Sequence, residues 1–281
     1  MNKSVWSAML LLLIGVTLLM PSLSASRANP LYSGQVAVLM YHHVHDTDVS
    51  SSTISSQLLE DQLVYLRQQG YTFLTLQQFE QYMAGADVPD NAVLVTFDDG
   101  YESFYSHAYP ILDKLEVPAT NFVITDKHDN PEAYQPPFMT PEQIWAMTSA
   151  RPGFISAQCH THGMHNDPVS PYMTARLTVN GVQETEDEYR KRIVADTQSC
   201  IRIMTPLGPE KVNAMAYPYG VFDALSSRLV KEAGIDYAFT IVPEMTTRDR
   251  NPTQLPRINA GNPHISPEEL HQRIMRRIVI R

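Results

Sequence analysis

A chain of 281 residues, 43% of them hydrophobic and 18% charged, suits one large domain or two small ones and can bury a substantial core. Its net charge of −9 excludes the basic footprint of a nucleic-acid-binding protein. Moderate acidity otherwise says only that the protein stays soluble.

The chain opens with Lys3, an apolar run from Val5 to Met20, Pro21, and then small residues through Ala28. A charged, an apolar and a small-residue segment in that order predict a secretory signal over residues 1–28, with Ser26-x-Ala28 as a cleavage site. An uncleaved anchor is the alternative, although the run is short for one. The expected product is exported, free or attached to the membrane or cell surface. Cys159 and Cys200 would then meet an oxidising compartment. Cys200 falls on the helical stripe Tyr189, Ile193, Thr197, Cys200, Met204, which suits a buried free thiol as well as a bridge, and the sequence does not predict the bridge.

Val36 to Val44 (VAVLMYHHV) reads as a first buried strand ending in histidines, followed by a serine-rich loop to Ser56. Leu59, Leu63 and Leu66 recur at helical spacing and Gly70 stops that helix. Tyr71 to Leu74 is a short strand, and Thr75-x-x-Gln78 a capping box for the next helix. Ala92 to Phe97 is an apolar, β-branched run of strand length that ends in Asp98-Asp99-Gly100. A helix through Ile111 and Leu115 and a strand from Thr120 to Ile124 follow. Thr140-Pro141-Glu142-Gln143 opens another helix with a cap and a first-turn proline. Phe154 to His160, Ala214 to Tyr217, Tyr237 to Ile241 and Leu255 to Ile258 read as further strands, with helices around Ile193, over Leu225 to Ala233 and from Pro267.

Strands alternating with helices, without a repeat or a low-complexity linker, predict an α/β fold with a parallel sheet in one domain over residues 29–281. Polar residues cluster where strands end: His42, Asp98, Asp99, His160 and Tyr219. Active sites of α/β barrels lie at the C-terminal ends of strands. The expected architecture is a distorted (β/α) barrel, complete or not.

Two adjacent carboxylates at a strand end repel each other and resist desolvation unless a cation or proton compensates. Asp-Gly is also a common turn dipeptide, so the pair alone does not decide. The stretch Gln158-Cys159-His160-Thr161-His162-Gly163-Met164-His165 adds three histidines within six positions after a strand. Imidazole nitrogens with one carboxylate oxygen are a typical mixed ligand set for Zn²⁺.

Thr96-Phe97-Asp98-Asp99-Gly100 with His160-Thr161-x-x-x-His165 resembles the polysaccharide deacetylases of carbohydrate esterase family 4, the NodB-homology group. Pro118-Ala119-Thr120-Asn121-Phe122-Val123 and Ala216-Tyr217-Pro218-Tyr219-Gly220 resemble two further motifs of that family. Leu39-Met40-Tyr41-His42-His43 resembles the exported subgroup that acts on poly-β-1,6-N-acetylglucosamine, in which the fold is circularly permuted. The resemblance implies Asp98 as general base, Asp99, His160 and His165 as metal ligands, and His42 as general acid. Tyr219 would line the groove and offer its backbone N–H to the oxyanion, while His43 and His162 match no role. It implies a divalent ion, most simply Zn²⁺ with Ni²⁺, Co²⁺ or Fe²⁺ as alternatives, and an N-acetylated polysaccharide as substrate.

One departure stands out. Ala216 occupies the place where many members carry an arginine that pairs with the base, and Arg257 could supply that cation from another strand end. Relatives that act on peptidoglycan or chitin-like polymers set an alternative substrate. His160-x-His162-x-x-His165 also resembles the zinc motif of metallo-β-lactamase-type hydrolases, with Met164 where aspartate is expected. An inactive sugar-binding protein is a third reading.

Overall fold

The computed structural model describes residues 29–166 and 169–280, so the expected signal segment lies outside the described residues. Seven parallel strands form where the apolar runs predict them: β1 (Gln35–Tyr41), β2 (Thr72–Leu74), β3 (Ala92–Phe97), β4 (Ala119–Val123), β5 (Ile155–Cys159), β6 (Ala214–Ala216) and β7 (Tyr237–Phe239). β3 pairs with β1 along its full length. On its other edge β2 covers the first half and β4 the second, and β5, β6 and β7 continue outward. The sheet curls into a half-barrel. The segment from Leu255 to Asn259 reaches both of its edges, with Leu255 bridged to Phe239 of β7 and Ile258 paired with Leu39 of β1. Arg257 therefore sits in the strand-like segment that spans the opening of the curl.

The helices are α1 (Ser56–Gln68), α2 (Leu76–Met83), α3 (Tyr109–Lys114), α4 (Pro141–Ala150), α5 (Glu186–Met204), α6 (Ala224–Glu232) and α7 (Pro267–Met275). The capping boxes read at Thr75 and Thr140 both form, each threonine accepting from the third helical N–H while glutamine accepts from the cap N–H. None of the helices among the described residues is long and apolar enough to cross a membrane.

Because side chains alternate across a strand, each strand feeds two cores. Ala37, Leu39, Val93, Val95 and Val123 face the helices together with Leu59, Leu63 and Leu66 of α1. Val36, Val38, Leu94, Phe122, Ala216 and Phe239 face the inside of the curl, where Leu76, Phe79 and Tyr82 of α2 join them. Thr96 and Asp98 continue the inward row of β3. The apolar filling thus gives way to polar groups at the C-terminal end of the sheet.

Three details depart from the sequence reading. The first strand ends at Tyr41, and His43–Val44 instead pairs with Thr53–Ile54 in a separate two-residue ladder. A hairpin, Thr178–Val179 with Val182–Gln183, was not anticipated, although Asn180-Gly181 supplies the paired positive φ angles (53° and 80°) of a tight hairpin turn. Cys159 and Cys200 form a disulfide, with Cα atoms 6.0 Å apart, a bridge that the sequence does not predict. The stripe that buries Cys200 seats α5 directly against β5, whose last residue is Cys159, so burial and bridging are the same placement.

The excursion between His165 and α5 is clasped by Arg192, which donates to Tyr172 O at 2.8 Å, to Ala175 O at 2.9 Å and to both carboxylate oxygens of Glu184 at 2.7 and 2.9 Å. Those bonds from Arg192 hold the Glu184 carboxyl below its ordinary range, against the small opposing effect of burial. A depressed carboxyl stabilises the clasp above its unfolded pKa of about 4.3, and the contribution is lost as pH falls through the lower folded value. Limited proteolysis between residues 169 and 185 should therefore accelerate below about pH 4 in the wild type. Glu184→Gln should be cleaved readily at neutral pH and show no such acid step. Reduction, or the Cys159→Ala/Cys200→Ala pair, should cost about 2–4 kcal/mol in denaturant unfolding, and the reductant should have no effect on the double variant.

Candidate active site

Asp98 and Asp99 leave β3 in opposite directions. Asp98 N donates to Tyr41 O at 2.9 Å, which prolongs the β1–β3 pairing by one residue and keeps the Asp98 side chain on the inward row. Asp99 then takes φ 75° and Gly100 φ 80°. At Gly100 a Cβ would come within 2.9 Å of Val123 Cγ1, so the turn after the acid pair requires glycine. Thr161 (φ 80°) and Tyr219 (φ 56°) also hold left-handed backbone, each just after the end of a strand at this face. Non-glycine residues there cost about 1–3 kcal/mol each and concentrate at functional sites.

Asp98 is buried against Arg257, the largest fully buried side chain among the described residues. Arg257 Nη1 donates to Asp98 Oδ1 at 2.6 Å and Nη2 to Oδ2 at 2.7 Å, the two parallel bonds of a fork. Its Nε donates to Thr240 O at 2.9 Å and Nη1 also to Thr96 Oγ1 at 3.2 Å. Burial by itself would raise the Asp98 carboxyl, and the guanidinium more than reverses this, leaving it below the ordinary range and ionised. Ala216 presents only a methyl group to the same interior.

Asp99 Oδ1 lies 3.4 Å from His160 Nε2 and 3.3 Å from His165 Nε2. The far side of each imidazole is engaged by the protein: His160 Nδ1 bonds to Ala216 O at 2.8 Å, and His165 Nδ1 faces the Tyr219 hydroxyl at 3.3 Å. Histidines anchored through one nitrogen with the other aimed at a shared point are arranged as metal ligands are. Burial, then the neighbouring His160, pushes His165 down to about 4, so its ring is neutral with a lone pair to offer. Burial would raise Asp99, but His160 and the other imidazoles outweigh it and hold the carboxyl well below its usual range.

Asp99 Oδ1 is buried and has no hydrogen-bond partner. An orphaned carboxylate oxygen between two imidazole nitrogens calls for a cation. Ligand atoms bound tetrahedrally at 2.0–2.2 Å stand about 3.4 Å apart, which matches the separations around Asp99. The residues present fit a three-ligand ion with an open position toward the cavity.

That cavity, about 380 Å³, is lined by His42, Asp98, Asp99, Tyr101, Tyr219 and Ile241, among others. His42 follows the last residue of β1, and its Nε2 lies 3.8 Å from Asp98 Oδ2, beyond a direct hydrogen bond. The structure thus brings Asp98, Asp99, His42, His160, His165, Tyr219 and Arg257 to one face.

A polysaccharide deacetylase profile matches residues 85–238, more than half of the chain. The chain belongs to the polysaccharide deacetylase family. The matched span contains Asp98, Asp99, His160, His165 and Tyr219, whereas His42 and Arg257 reach the site from outside it. The chain is 26% identical over 219 residues to a poly-β-1,6-N-acetyl-D-glucosamine N-deacetylase of Staphylococcus aureus, covering 78% of this chain and 71% of that one. The enzyme of the same name from Staphylococcus epidermidis is 25% identical, with 76% and 70% covered. Among solved structures, IcaB from Ammonifex degensii matches with TM-score 0.68 and 28% identity over 86% of this chain and 95% of that one. A de-N-acetylase from Aggregatibacter actinomycetemcomitans shares the fold with TM-score 0.76 at 23% identity, over 85% and 100%. This deacetylase is accordingly a hydrolase.

His162 turns away from the other two histidines of its motif. Its N–H donates to Asp196 Oδ1 at 2.8 Å and its Nδ1 meets Thr125 Oγ1 at 3.0 Å, which tie the loop to α5 and to the end of β4. The three-histidine convergence of the metallo-β-lactamase-type reading is therefore not formed. Sequence reasoning passed over Ser52, Tyr217 and Ile241, which also line the cavity. Ser52 lies in a polar loop with no pattern, and Ile241 reads as the last residue of a strand, whereas the strand ends at Phe239 and Ile241 is 48% exposed.

The buried fork makes a direct prediction. Arg257→Met strands the Asp98 charge and should cost about 3–5 kcal/mol in denaturant unfolding. Adding Asp98→Asn removes the orphaned charge and should recover much of that loss.

Proposed function

We propose that this protein is an exported, metal-dependent deacetylase that removes N-acetyl groups from an N-acetylglucosamine polymer, most specifically poly-β-1,6-N-acetylglucosamine. The observation that carries the reading is the Asp99–His160–His165 triad with its orphaned Asp99 oxygen, set beside a separately ionised Asp98. The poly-β-1,6-N-acetyl-D-glucosamine N-deacetylases that the chain resembles support the choice of polymer. The apolar run ahead of Ala28 supports export.

A divalent ion held by Asp99, His160 and His165 would supply Lewis acidity to the attacking water and to the acetyl carbonyl. Asp98 accepts the proton of that water as its oxygen attacks the acetyl carbon. Each Asp98 oxygen accepts one bond from Arg257 and keeps a second lone pair for this purpose. Without Arg257, burial would protonate Asp98 and remove the base; with it, the carboxylate stays charged and fixed in orientation. His42, protonated, donates to the departing nitrogen as the C–N bond breaks, leaving acetate and a free amine. Tyr219 braces His165 through its hydroxyl, and its backbone N–H serves the developing oxyanion.

The two acids divide the work, and their variants separate the roles. Asp99→Asn should lose bound metal and activity together. Asp98→Asn should retain metal and lose about 10²–10⁴ in kcat. Metal content by mass spectrometry and acetate release from β-1,6- and β-1,4-linked N-acetylglucosamine oligomers read both. Equal metal loss in the two variants would contradict the assignment. Preference for β-1,4 oligomers would move the substrate to peptidoglycan or chitin-like polymers, and sugar binding without acetate would make the protein a binding module.

A further inference from the structure

His43 and the loop behind it have no part in the chemistry above, yet they gather a second set of metal-ligating groups. The chain His43-Val44-His45-Asp46-Thr47-Asp48 leaves β1 and is closed by the ladder between His43–Val44 and Thr53–Ile54. This folds the loop back so that one nitrogen of His43, one of His45 and the Asp48 carboxylate lie within 4.8 Å of one another. His43 Nε2 is 3.0 Å from Asp48 Oδ2, and His45 Nδ1 is 3.2 Å from Asp48 Oδ1. The two rings lie nearly parallel, 10° apart, with centroids separated by 5.3 Å. The His107 ring stands 5.2 Å from that of His45.

Protons alone serve the His45 side of this cluster poorly. His45 Nδ1 accepts the backbone N–H of Asp48 at 3.1 Å, which requires an unprotonated nitrogen. That same lone pair then faces Asp48 Oδ1, so two acceptors confront each other at 3.2 Å. Protonating Nδ1 would satisfy the carboxylate and set an N–H against the Asp48 amide. A cation bridging the His45 ring and Asp48 Oδ1 would remove the repulsion between the two acceptors, and it would replace the bonds that Nδ1 accepts from Thr47 and Asp48. On the other side, the Ser103 hydroxyl lies 2.7 Å from His43 Nδ1 and can accept its proton, leaving the Nε2 lone pair directed at Asp48.

We propose that His43, His45 and Asp48 form a second divalent-cation site, separate from the Asp99 centre. Two imidazoles and one carboxylate select a borderline transition metal such as Zn²⁺, Ni²⁺ or Cu²⁺ over Mg²⁺ or Ca²⁺, which prefer all-oxygen sets. The site is at the rim: Asp48 is about half exposed, so water completes the coordination and the ion exchanges freely. His43 and Asp48 also line a cavity of about 570 Å³ that shares Ser52 and Tyr101 with the catalytic cavity. Occupancy would staple the loop from His45 to Thr53 as a fixed wall beside the reaction centre.

The test is metal stoichiometry of the full mature chain after equilibrium dialysis against Zn²⁺, for wild type, Asp48→Asn, His45→Gln, Asp99→Asn and Asp48→Asn/Asp99→Asn, each checked for fold by circular dichroism. The expected result is two equivalents in the wild type, one in each single variant and none in the double. Two exposed-rim variants guard against a folding failure in either. Unchanged stoichiometry in Asp48→Asn and His45→Gln overturns the site, as does a single wild-type equivalent that vanishes in Asp99→Asn. Loss of an equivalent in Asp48→Asn while Asp99→Asn keeps the full complement supports the rim site and refutes the catalytic centre, so the two assignments fail separately.

Discussion

A carboxylate and a guanidinium sealed inside the mouth of a curled sheet set the terms for everything around them. Asp98 and Arg257 are both removed from water, and each would be costly alone. Their fork satisfies both Asp98 oxygens, while Thr240 O and Thr96 Oγ1 take the remaining guanidinium donors in reach. Closure of the curl by Leu255–Asn259 delivers Arg257 to this point, so the fold's last strand-like segment and the charge state of Asp98 are one structural fact. The apolar floor of Val36, Val38, Phe122 and Phe239 lies beneath the pair, while Asp98 keeps an edge on the cavity.

Around that pair the backbone departs from its easy conformations where side chains must be aimed. Asp99, Thr161 and Tyr219 hold positive φ at three strand ends, and His160, the residue before Thr161, is locked by the Ala216 carbonyl. Ala216 carries no cation, but its carbonyl sets the direction of the His160 ring. Hydrogen bonds from the loops, such as His162 N–H to Asp196, and the Cys159–Cys200 bridge beside His160 offset the local strain.

Much of the fold is legible because its signals are local. Strand runs such as Ala92–Phe97, the capping boxes at Thr75 and Thr140, and the stripe from Tyr189 to Met204 each report on a few adjacent residues, and each forms as expected. The disulfide was not legible, because the stripe specifies that Cys200 is buried without specifying against what. The early end of β1 was likewise hidden. His42, His43 and Val44 continue an apolar-looking run, and only the position of Thr53–Ile54 takes His43–Val44 into a separate ladder.

The sequence by itself determined which groups stand at strand ends: His42, Asp98, Asp99, His160 and Tyr219 are placed by the period of the runs before them. It also marked Arg257 as the available cation once Ala216 was seen to lack one. Spacing cannot distinguish the two acids, and tertiary structure shows what separates them: a single positive φ at Asp99 turns it to His160 and His165 while Asp98 faces Arg257. Tertiary structure likewise sent His162 to Asp196 and gathered His43, His45 and Asp48 at the rim. Convergence of side chains from distant strands depends on how the sheet curls, and curl is a property of all the strands together.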